Sequence, residues 1–505
     1  MSIRTRLIIG AICIAYVAAR VWRLSDSCLW FDELFSVHAA EHDWGSMFSF
    51  VAKDLIHPPL FYVFLKLWIS LGGESVFWLR LLPVLFSTLA LIPFIYLCRE
   101  LKIRLPVILL ALGLLAVNGA LIKYTQTLRM YSMLMFLGLM SMWLFARYFT
   151  RGKSLVALII VNVLLVCTHY FGWLVIAGEI TAILVYQRIK WRGTLLMFGV
   201  GFVSFVPWLI AVWQARRAGS SLSQNIAWQT RPGVRELITF VTDLVEPFYF
   251  QASNVEPASI YLFSLPLVII FTAAMIEYCI KLFRRKETDR AALLGIFILV
   301  PLVIAFTASW ILPHSVWGTR HLIVVFPPIL ILFANAVLGF HLRAVRLGAV
   351  ALIVTICALA LVRDVSREMP RHVWCAWNDV AADIRSRDEQ ARIYAFENLV
   401  AYHLWFALRH TVGAEVAVMK GVDVKTDDET YFLPRGFEDV PNTTLEQVSG
   451  SDLWLAFRTS RKGDETAIIE SFTKLGYRAC SEEKVEYGPT TVFWMKMSKD
   501  VAGCQ

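Results

Sequence analysis

Trp30-Phe31-Asp32-Glu33-Leu34-Phe35 opens, and His57-Pro58-Pro59-Leu60-Phe61-Tyr62 closes, the stretch on which the reading of this chain turns. Before it lies an apolar, uncharged run from Leu7 to Ala19, continued by Val21-Trp22. After it, membrane-grade apolar sequence continues with little pause to Leu361. An adjacent acidic pair therefore sits on the first loop of a membrane protein, at the boundary of water and lipid. Between the acids and His57, Phe31, Leu34 and Phe35, then Trp44, Met47, Phe48 and Val51, recur at helical spacing. This pattern predicts a helix lying in the interface with its polar side facing a cavity. A plainer reading makes the stretch an amphipathic connector with Asp32 at a favourable helix N-terminus. That reading leaves the paired acids and the His-Pro-Pro without a purpose.

Composition agrees with the membrane setting. Of 505 residues, 58% are hydrophobic and 17% charged, and the mean hydropathy is +0.61. Such values exclude an ordinary soluble domain and favour many spans. The net charge of +9 does not argue for nucleic acid, because Lys and Arg fall mostly in short loops between apolar runs. Met1 to Arg6 is basic, but the apolar run after it leads to no small-residue cleavage site, so a retained first span is expected. The nine cysteines show no metal-ligand spacing. Cys13, Cys98, Cys167, Cys279 and Cys357 lie in apolar runs and read as small core residues. Cys28, Cys375, Cys480 and Cys504 lie outside them, and spacing alone does not choose a disulfide among them.

A span needs about 20 apolar residues. Candidates lie at 7–22, 77–98, 105–122, 131–149, 154–167, 171–186, 194–213, 259–283, 291–312, 321–340 and 347–362. The basic clusters Arg4/Arg6, Arg99/Lys102/Arg104, Arg147/Arg151/Lys153, Arg188/Lys190/Arg192, Arg284/Arg285/Lys286 and Arg343/Arg346 then share one side, which should be cytoplasmic. Counting the short apolar segment 60–71 as a crossing would invert every later cluster, so it is expected to be interfacial or re-entrant. With about eleven crossings and a cytoplasmic N-terminus, the chain after Val362 lies outside the cytoplasm.

That topology gathers polar residues from distant segments on the outer side. They are Asp32, Glu33 and His57; Lys123-Tyr124-Thr125-Gln126 with Arg129-Met130-Tyr131; His169-Tyr170; the loop 214–251; and the loop 313–321 with Arg320-His321. Ionisable groups at membrane depth are costly and usually line a cavity. Arg216 and Arg217 also fall on this side and read as solvated arginines at a span end. From Arg363 the composition changes: strand-length apolar runs at 392–396, 415–419, 453–458 and 491–497 alternate with helical patterns at 378–386, 400–408 and 465–475. This predicts a small α/β domain with a partly parallel sheet. No glycine-rich phosphate loop follows a strand, so no nucleotide site is assigned. The sequon Asn442-Thr443-Thr444 is a common chance match.

An acid at an outer cavity, with cations and aromatics nearby, suits transfer from a lipid phosphate. A carboxylate, Asp32 first, would accept the proton of an attacking hydroxyl, its basicity raised by burial near lipid. The leaving phosphate already bears charge and needs cations more than an acid. Arg129, Lys123 and Arg320 could supply them, the arginines through bidentate contact. His57 could orient the donor phosphate or Glu33, and Pro58-Pro59 would fix the chain as it enters the membrane. Tyr131 and His169 could meet sugar hydroxyls, and Gln126, Tyr170 and His321 complete the substrate-binding set. Structural roles compete: an interfacial hydrogen-bonder for His169, aromatic-belt anchors for Tyr131 and Tyr170, a snorkelling Arg320.

Trp30-Phe31-Asp32-Glu33, His57-Pro58-Pro59-Leu60-Phe61-Tyr62, Arg80-Leu81-Leu82-Pro83 and Gln126-Thr127-Leu128-Arg129-Met130-Tyr131 together resemble the GT-C glycosyltransferases. The bacterial branch related to protein O-mannosyltransferases and the lipid A aminoarabinose transferase is the most similar. The resemblance covers roughly the first 340 residues. It implies a polytopic helical transferase domain over residues 1–362, with its acidic motif on the outer loop 23–59; the C-terminal domain varies across the family, so the extracytoplasmic α/β domain over 363–505 is expected from composition and topology alone. It implies Asp32 as the catalytic acid with Glu33 beside it, and His57 abutting the donor phosphate. The family's Gln-Glu-Ala-Arg pattern reads Gln126-Thr127-Leu128-Arg129 here, so its usual acid is Thr127, and its frequent Arg-Tyr pair reads Arg320-His321. The implied activity is an inverting transferase of the inner (plasma) membrane, using a polyprenyl-phosphate sugar. The acceptor would be lipid A, another envelope lipid or glycan, or a protein. A divalent metal is compatible with the resemblance and not required by it. The competing classes are a transporter or flippase of lipid-linked sugars, which would show inverted repeats and broken helices, and a polysaccharide polymerase or ligase, which would lean on outer arginines and histidine.

Overall fold

The computed structural model describes residues 3–186, 191–220, 229–248, 259–285, 291–368, 372–422, 440–459, 464–487 and 490–500. The chain divides into two units, Met1–Leu24 with Ala39–Glu368, and Ser25–His38 with Met369–Gln505.

In the first unit long apolar runs become helices, because only a helix satisfies every backbone group from within its own segment. In order these are α1 (Ile3–Val21), α2 (Phe31–Glu41, whose N-terminal part belongs to the second unit), α3 (Trp44–Asp54), α4 (Leu60–Gly72), α5 (Val76–Leu89), α6 (Leu91–Glu100), α7 (Leu105–Val117), α8 (Gly119–Thr125) and α9 (Tyr131–Arg151). They are followed by α10 (Leu155–Thr168), α11 (Gly172–Val185), α12 (Trp191–Arg217), α13 (Val234–Val245), α14 (Ser259–Arg285), α15 (Ala291–Ile311), α16 (Phe326–Leu338) and α17 (Arg343–Ser366). Among the described residues, six stretches are long and apolar enough to cross a membrane: Val76–Glu100, Tyr131–Arg151, Arg192–Arg217, Phe263–Leu282, Ala292–Ile311 and Arg343–Ser366. Five shorter apolar helices accompany them. Arg216 and Arg217 end α12 rather than lying on a loop.

Two buried polar arrangements hold the bundle in register. Arg20, wholly buried on α1, donates to the carbonyls of Leu115 and Ala116 at 3.0 and 3.2 Å. Those carbonyls belong to the last turn of α7, the negative end of a helix, where a guanidinium is favourable. Deeper in the bundle, Ser141 Oγ lies 2.7 Å from both Asn162 Oδ1 and Glu179 Oε1, and Asn162 Nδ2 lies 2.8 Å from Glu179 Oε2. Three contacts need three protons. The amide supplies one and the hydroxyl one, so the third comes from Glu179, held here as a neutral acid. The ring ties α9, α10 and α11 together. Gly178, one residue earlier, lets α15 approach: a Cβ there would lie 3.0 Å from the Phe297 ring.

The second unit is built on a six-stranded sheet of order β3-β2-β1-β4-β6-β5. Its strands are β1 (Arg392–Ala395), β2 (Glu415–Lys420), β3 (Asn442–Thr444), β4 (Asp452–Thr459), β5 (Arg478–Tyr487) and β6 (Thr490–Ser498). β1 pairs in parallel with β2 and β4, and β2 with β3, while β6 joins β4 and β5 antiparallel. One face packs Leu453, Leu455, Phe457, Met495 and Met497 against Ile468 and Phe472 of the helix Asp464–Thr473. Near Asn398–Leu408 the buried Arg458 makes a bidentate pair with Glu397, at 3.0–3.2 Å, and lies over Trp374. The segment 25–38 is stitched into this unit. A disulfide joins Cys28 to Cys375, Trp30 meets the Trp374 ring at 5.4 Å and Phe31 meets Tyr402 at 5.0 Å. The architecture is thus a polytopic helical membrane protein with a C-terminal α/β unit.

Candidate functional site

Chain breaks between helices build the polar cluster of the first unit. Asp43 starts α3 by accepting from the N–H groups of Gly45 and Ser46. Leu55 ends it in the left-handed region at φ 63°, a conformation a branched side chain rarely adopts. The Tyr170 hydroxyl donates to the Leu55 carbonyl at 3.4 Å. The turn swings His57 inward, and Pro58-Pro59 prevent helix until Leu60.

His57 is 3% exposed and Arg129 4%, and Arg129 Nη2 stands 3.1 Å from His57 Nδ1. A guanidinium only donates, so His57 Nδ1 is the acceptor and its proton sits on Nε2. His169 is fixed the same way: the Phe171 backbone N–H donates to its Nδ1 at 3.0 Å, which leaves the proton on Nε2. Neither Nε2 has a partner among the described residues. His321 bonds the Val316 carbonyl, and its Nδ1 has no described partner, so it presents a lone pair. The His57 and His169 rings are 5.2 Å apart and those of His169 and His321 5.5 Å. Tyr131, 3% exposed, sits 6.5 and 6.4 Å from the latter two rings.

Electrostatics reinforces these tautomers. Burial first, and then the positive charge of Arg129, holds His57 well below the usual imidazole range. Burial, with Arg129 and Arg320, takes His169 to about 3. Burial and Arg320 depress His321 as well. At neutral pH the cluster is therefore three uncharged rings and fixed guanidiniums. Two bare N–H donors and a buried arginine suit an anion. A metal ion would need the Nε2 lone pairs and hence the opposite tautomers, breaking both observed hydrogen bonds, so this cluster does not fit one.

Arg320 lines a neighbouring cavity of about 440 Å³ with Tyr124, Arg235, Thr239 and Trp317. The loop carrying it is pinned by Thr319, whose hydroxyl donates to Asp243 at 2.7 Å. Burial pushes the Tyr124 phenol up to about 12. Lys123 is half-buried beside that ring, 5.9 Å from its centre.

Other expected ligands are occupied elsewhere. Gln126 donates to the carbonyls of Arg20 and Trp22 and so closes the end of α1. Tyr170 accepts from the Trp208 indole while bonding Leu55. In the second unit Glu33, 2% exposed, folds back to accept from the Trp30 N–H at 2.7 Å, the reach-back of a helix-capping residue. Asp32, in the first turn of α2, is half-buried. Sequence reasoning missed Asp54, whose Oδ2 is 4.0 Å from His57 Nδ1; its signal was only a place three residues before His57.

No family model matches this chain, and no curated protein does. Solved structures do. ArnT from Cupriavidus metallidurans bound to undecaprenyl phosphate is 13% identical, with a TM-score of 0.59 and 97% of each chain covered. The apo state of the same protein aligns with a TM-score of 0.60 at 14% identity, again over 97% of each chain. The archaeal oligosaccharyltransferase AglB from Archaeoglobus fulgidus, in complex with an inhibitory peptide and a dolichol-phosphate, reaches a TM-score of 0.50 at 12% identity. That alignment covers 82% of this chain and 64% of AglB. At these identities the likeness is one of fold, and it spans almost the whole length of ArnT. In fold, this chain is similar to ArnT over almost its whole length and to AglB over most of its own.

Proposed function

We propose that this protein transfers a sugar from a polyprenyl-phosphate donor to an envelope acceptor. The observation that carries the reading is the pair of Nε2–H groups on His57 and His169, unpartnered among the described residues, beside the buried Arg129. Such a cradle, built of buried side chains, stabilises negative charge as it gathers on a departing phosphate. Neutral histidines donate hydrogen bonds without giving up protons, which suits a leaving group that needs no acid. His321 Nδ1 and Tyr131 offer an acceptor and a hydroxyl to the sugar. The proton of the attacking hydroxyl we assign to Asp32, because Glu33 is committed to the Trp30 N–H. Attack by the acceptor on the anomeric carbon, with direct departure of the phosphate, inverts configuration. The prenyl chain stays in the bilayer beside apolar helices. The undecaprenyl phosphate and dolichol-phosphate held by ArnT and AglB support this donor class.

We place the enzyme in the plasma membrane, with its C-terminal unit outside the cytoplasm. The basic clusters favour that side, as does the Cys28–Cys375 disulfide, a bond of oxidising compartments. The function is tested by binding of undecaprenyl phosphate to the purified chain, with undecaprenol as control. The phosphate form should bind, the alcohol should not, and Arg129→Ala should abolish the difference. Equal binding of both lipids would refute the reading.

A further inference from the structure

A second charged cavity, of about 450 Å³, opens at the far end of the first unit, lined by Arg104, Glu277, Lys281 and Arg346. Helix α16 begins soon after His321 and ends at this cavity. Its 13 residues put about 20 Å between the two places, at roughly 1.5 Å per residue. The cavity is therefore separate from the histidine cluster.

Its charges do not cancel. Lys281 pairs with Glu277 and donates to the Gly339 carbonyl at the end of α16. Arg104 and Arg346 have no side-chain hydrogen bond or ion pair with any described residue. Both also sit at the wrong end of a helix. Arg104 is the residue capping the start of α7, and Arg346 lies in the first turn of α17. A helix start is already positive, so a cation there is destabilising unless an anion joins it. Two helix starts and two guanidiniums without a partner among the described residues converge on one hollow. Leu282 and Phe340 supply an apolar wall, and the membrane-length segments Phe263–Leu282 and Arg343–Ser366 put the hollow where a bilayer meets water. Basic hollows between spanning helices at that depth suit phospholipid headgroups.

We propose that this cavity binds the phosphate of an anionic phospholipid, such as phosphatidylglycerol, between Arg104 and Arg346, with an acyl chain along Leu282 and Phe340. The lipid neutralises the two helix starts and clasps α7, α14, α16 and α17 together.

The test is native mass spectrometry of the full chain titrated with phosphatidylglycerol or phosphatidylcholine. Wild type should retain phosphatidylglycerol preferentially. Arg104→Gln and Arg346→Gln should each weaken it by about tenfold or more, as expected for loss of a charged hydrogen bond. Arg346→Lys should keep most of the affinity, and undecaprenyl phosphate binding at the other end should be unchanged in all three. Equal retention of the two lipids, or unaltered phosphatidylglycerol binding by both glutamine variants, would overturn the proposal. Displacement of the lipid by millimolar inorganic phosphate would also overturn it, reassigning the cavity to a free anion.

Discussion

Arg129 Nη2 lies 3.1 Å from His57 Nδ1, with both residues buried, and this contact decides which His57 nitrogen carries the proton. On the proposed function, removing Arg129 withdraws a cation from the donor phosphate, and it also frees His57 to change tautomer. Arg129→Ala should weaken donor use by about 10²–10³-fold, the usual cost of losing an oxyanion-stabilising donor. Arg129→Lys should rescue only part, because an ammonium lacks the planar fork. His57→Gln, which keeps an N–H near the Nε2 position, should lose less than His57→Ala. Steady-state kinetics against donor concentration checks all three, and normal kinetics in Arg129→Ala would return it to a snorkelling arginine.

On the proposed function the acidic pair divides its labour. Adjacent helical residues point about 100° apart, and Glu33 already holds the Trp30 N–H. Asp32→Asn should cut the single-turnover transfer rate by about 10²–10⁴-fold with little change in donor affinity. Glu33→Gln retains a cap acceptor and should cost under about 1 kcal/mol of stability, with a modest rate effect. An active Asp32→Asn beside a dead Glu33→Gln would hand the role of base to Glu33.

His169 is held at about 3, below the ordinary value near 6.5. Between those values the unfolded chain binds the proton that the folded chain refuses. Stability on this account is complete above about pH 6.5 and is lost as pH falls toward 3. The thermal midpoint should therefore decline below pH 6.5, and His169→Gln should flatten the decline. From pH 7 to 8 donor affinity should be level, since His57, His169 and His321 are all already neutral. A donor-affinity titration with a midpoint near 6.5 would contradict the neutral cluster.

The ring of Ser141, Asn162 and Glu179 closes only with a neutral acid. Glu179→Gln still supplies a proton and an acceptor and should change the thermal midpoint little. Glu179→Ala strands two buried groups, at about 1–3 kcal/mol each. A variant order with Gln worse than Ala would disprove the proton count.

The sidedness is open to a direct measurement. Alkaline phosphatase fused after Val362 should be active and a fusion after Arg104 inactive. Cells should yield the Cys28–Cys375 pair oxidised, so that alkylation labels it only after reduction. The reverse fusion pattern would place the second unit in the cytoplasm.

By itself the sequence determined the membrane class, the helical segments and the α/β character of the C-terminal unit. These depend on local hydropathy and periodicity, which neighbouring residues decide among themselves. It also singled out His57, Arg129, His169 and His321, because ionisable groups beside membrane-grade runs are conspicuous. Tertiary structure alone decided what those residues present. The tautomer of His57 depends on Arg129, 72 positions away, and Gln126 became a helix cap because the end of α1 reaches it. Four cysteines outside the apolar runs left the pairing open until the fold brought Cys28 to Cys375, across 347 positions. Strand β5, rich in Glu and Lys, was invisible to pattern reading because it lies at the sheet edge, where pairing with β6 rather than burial makes it a strand. Contacts between distant segments carry no local signature, and in this protein they set the protons on which the proposed chemistry depends.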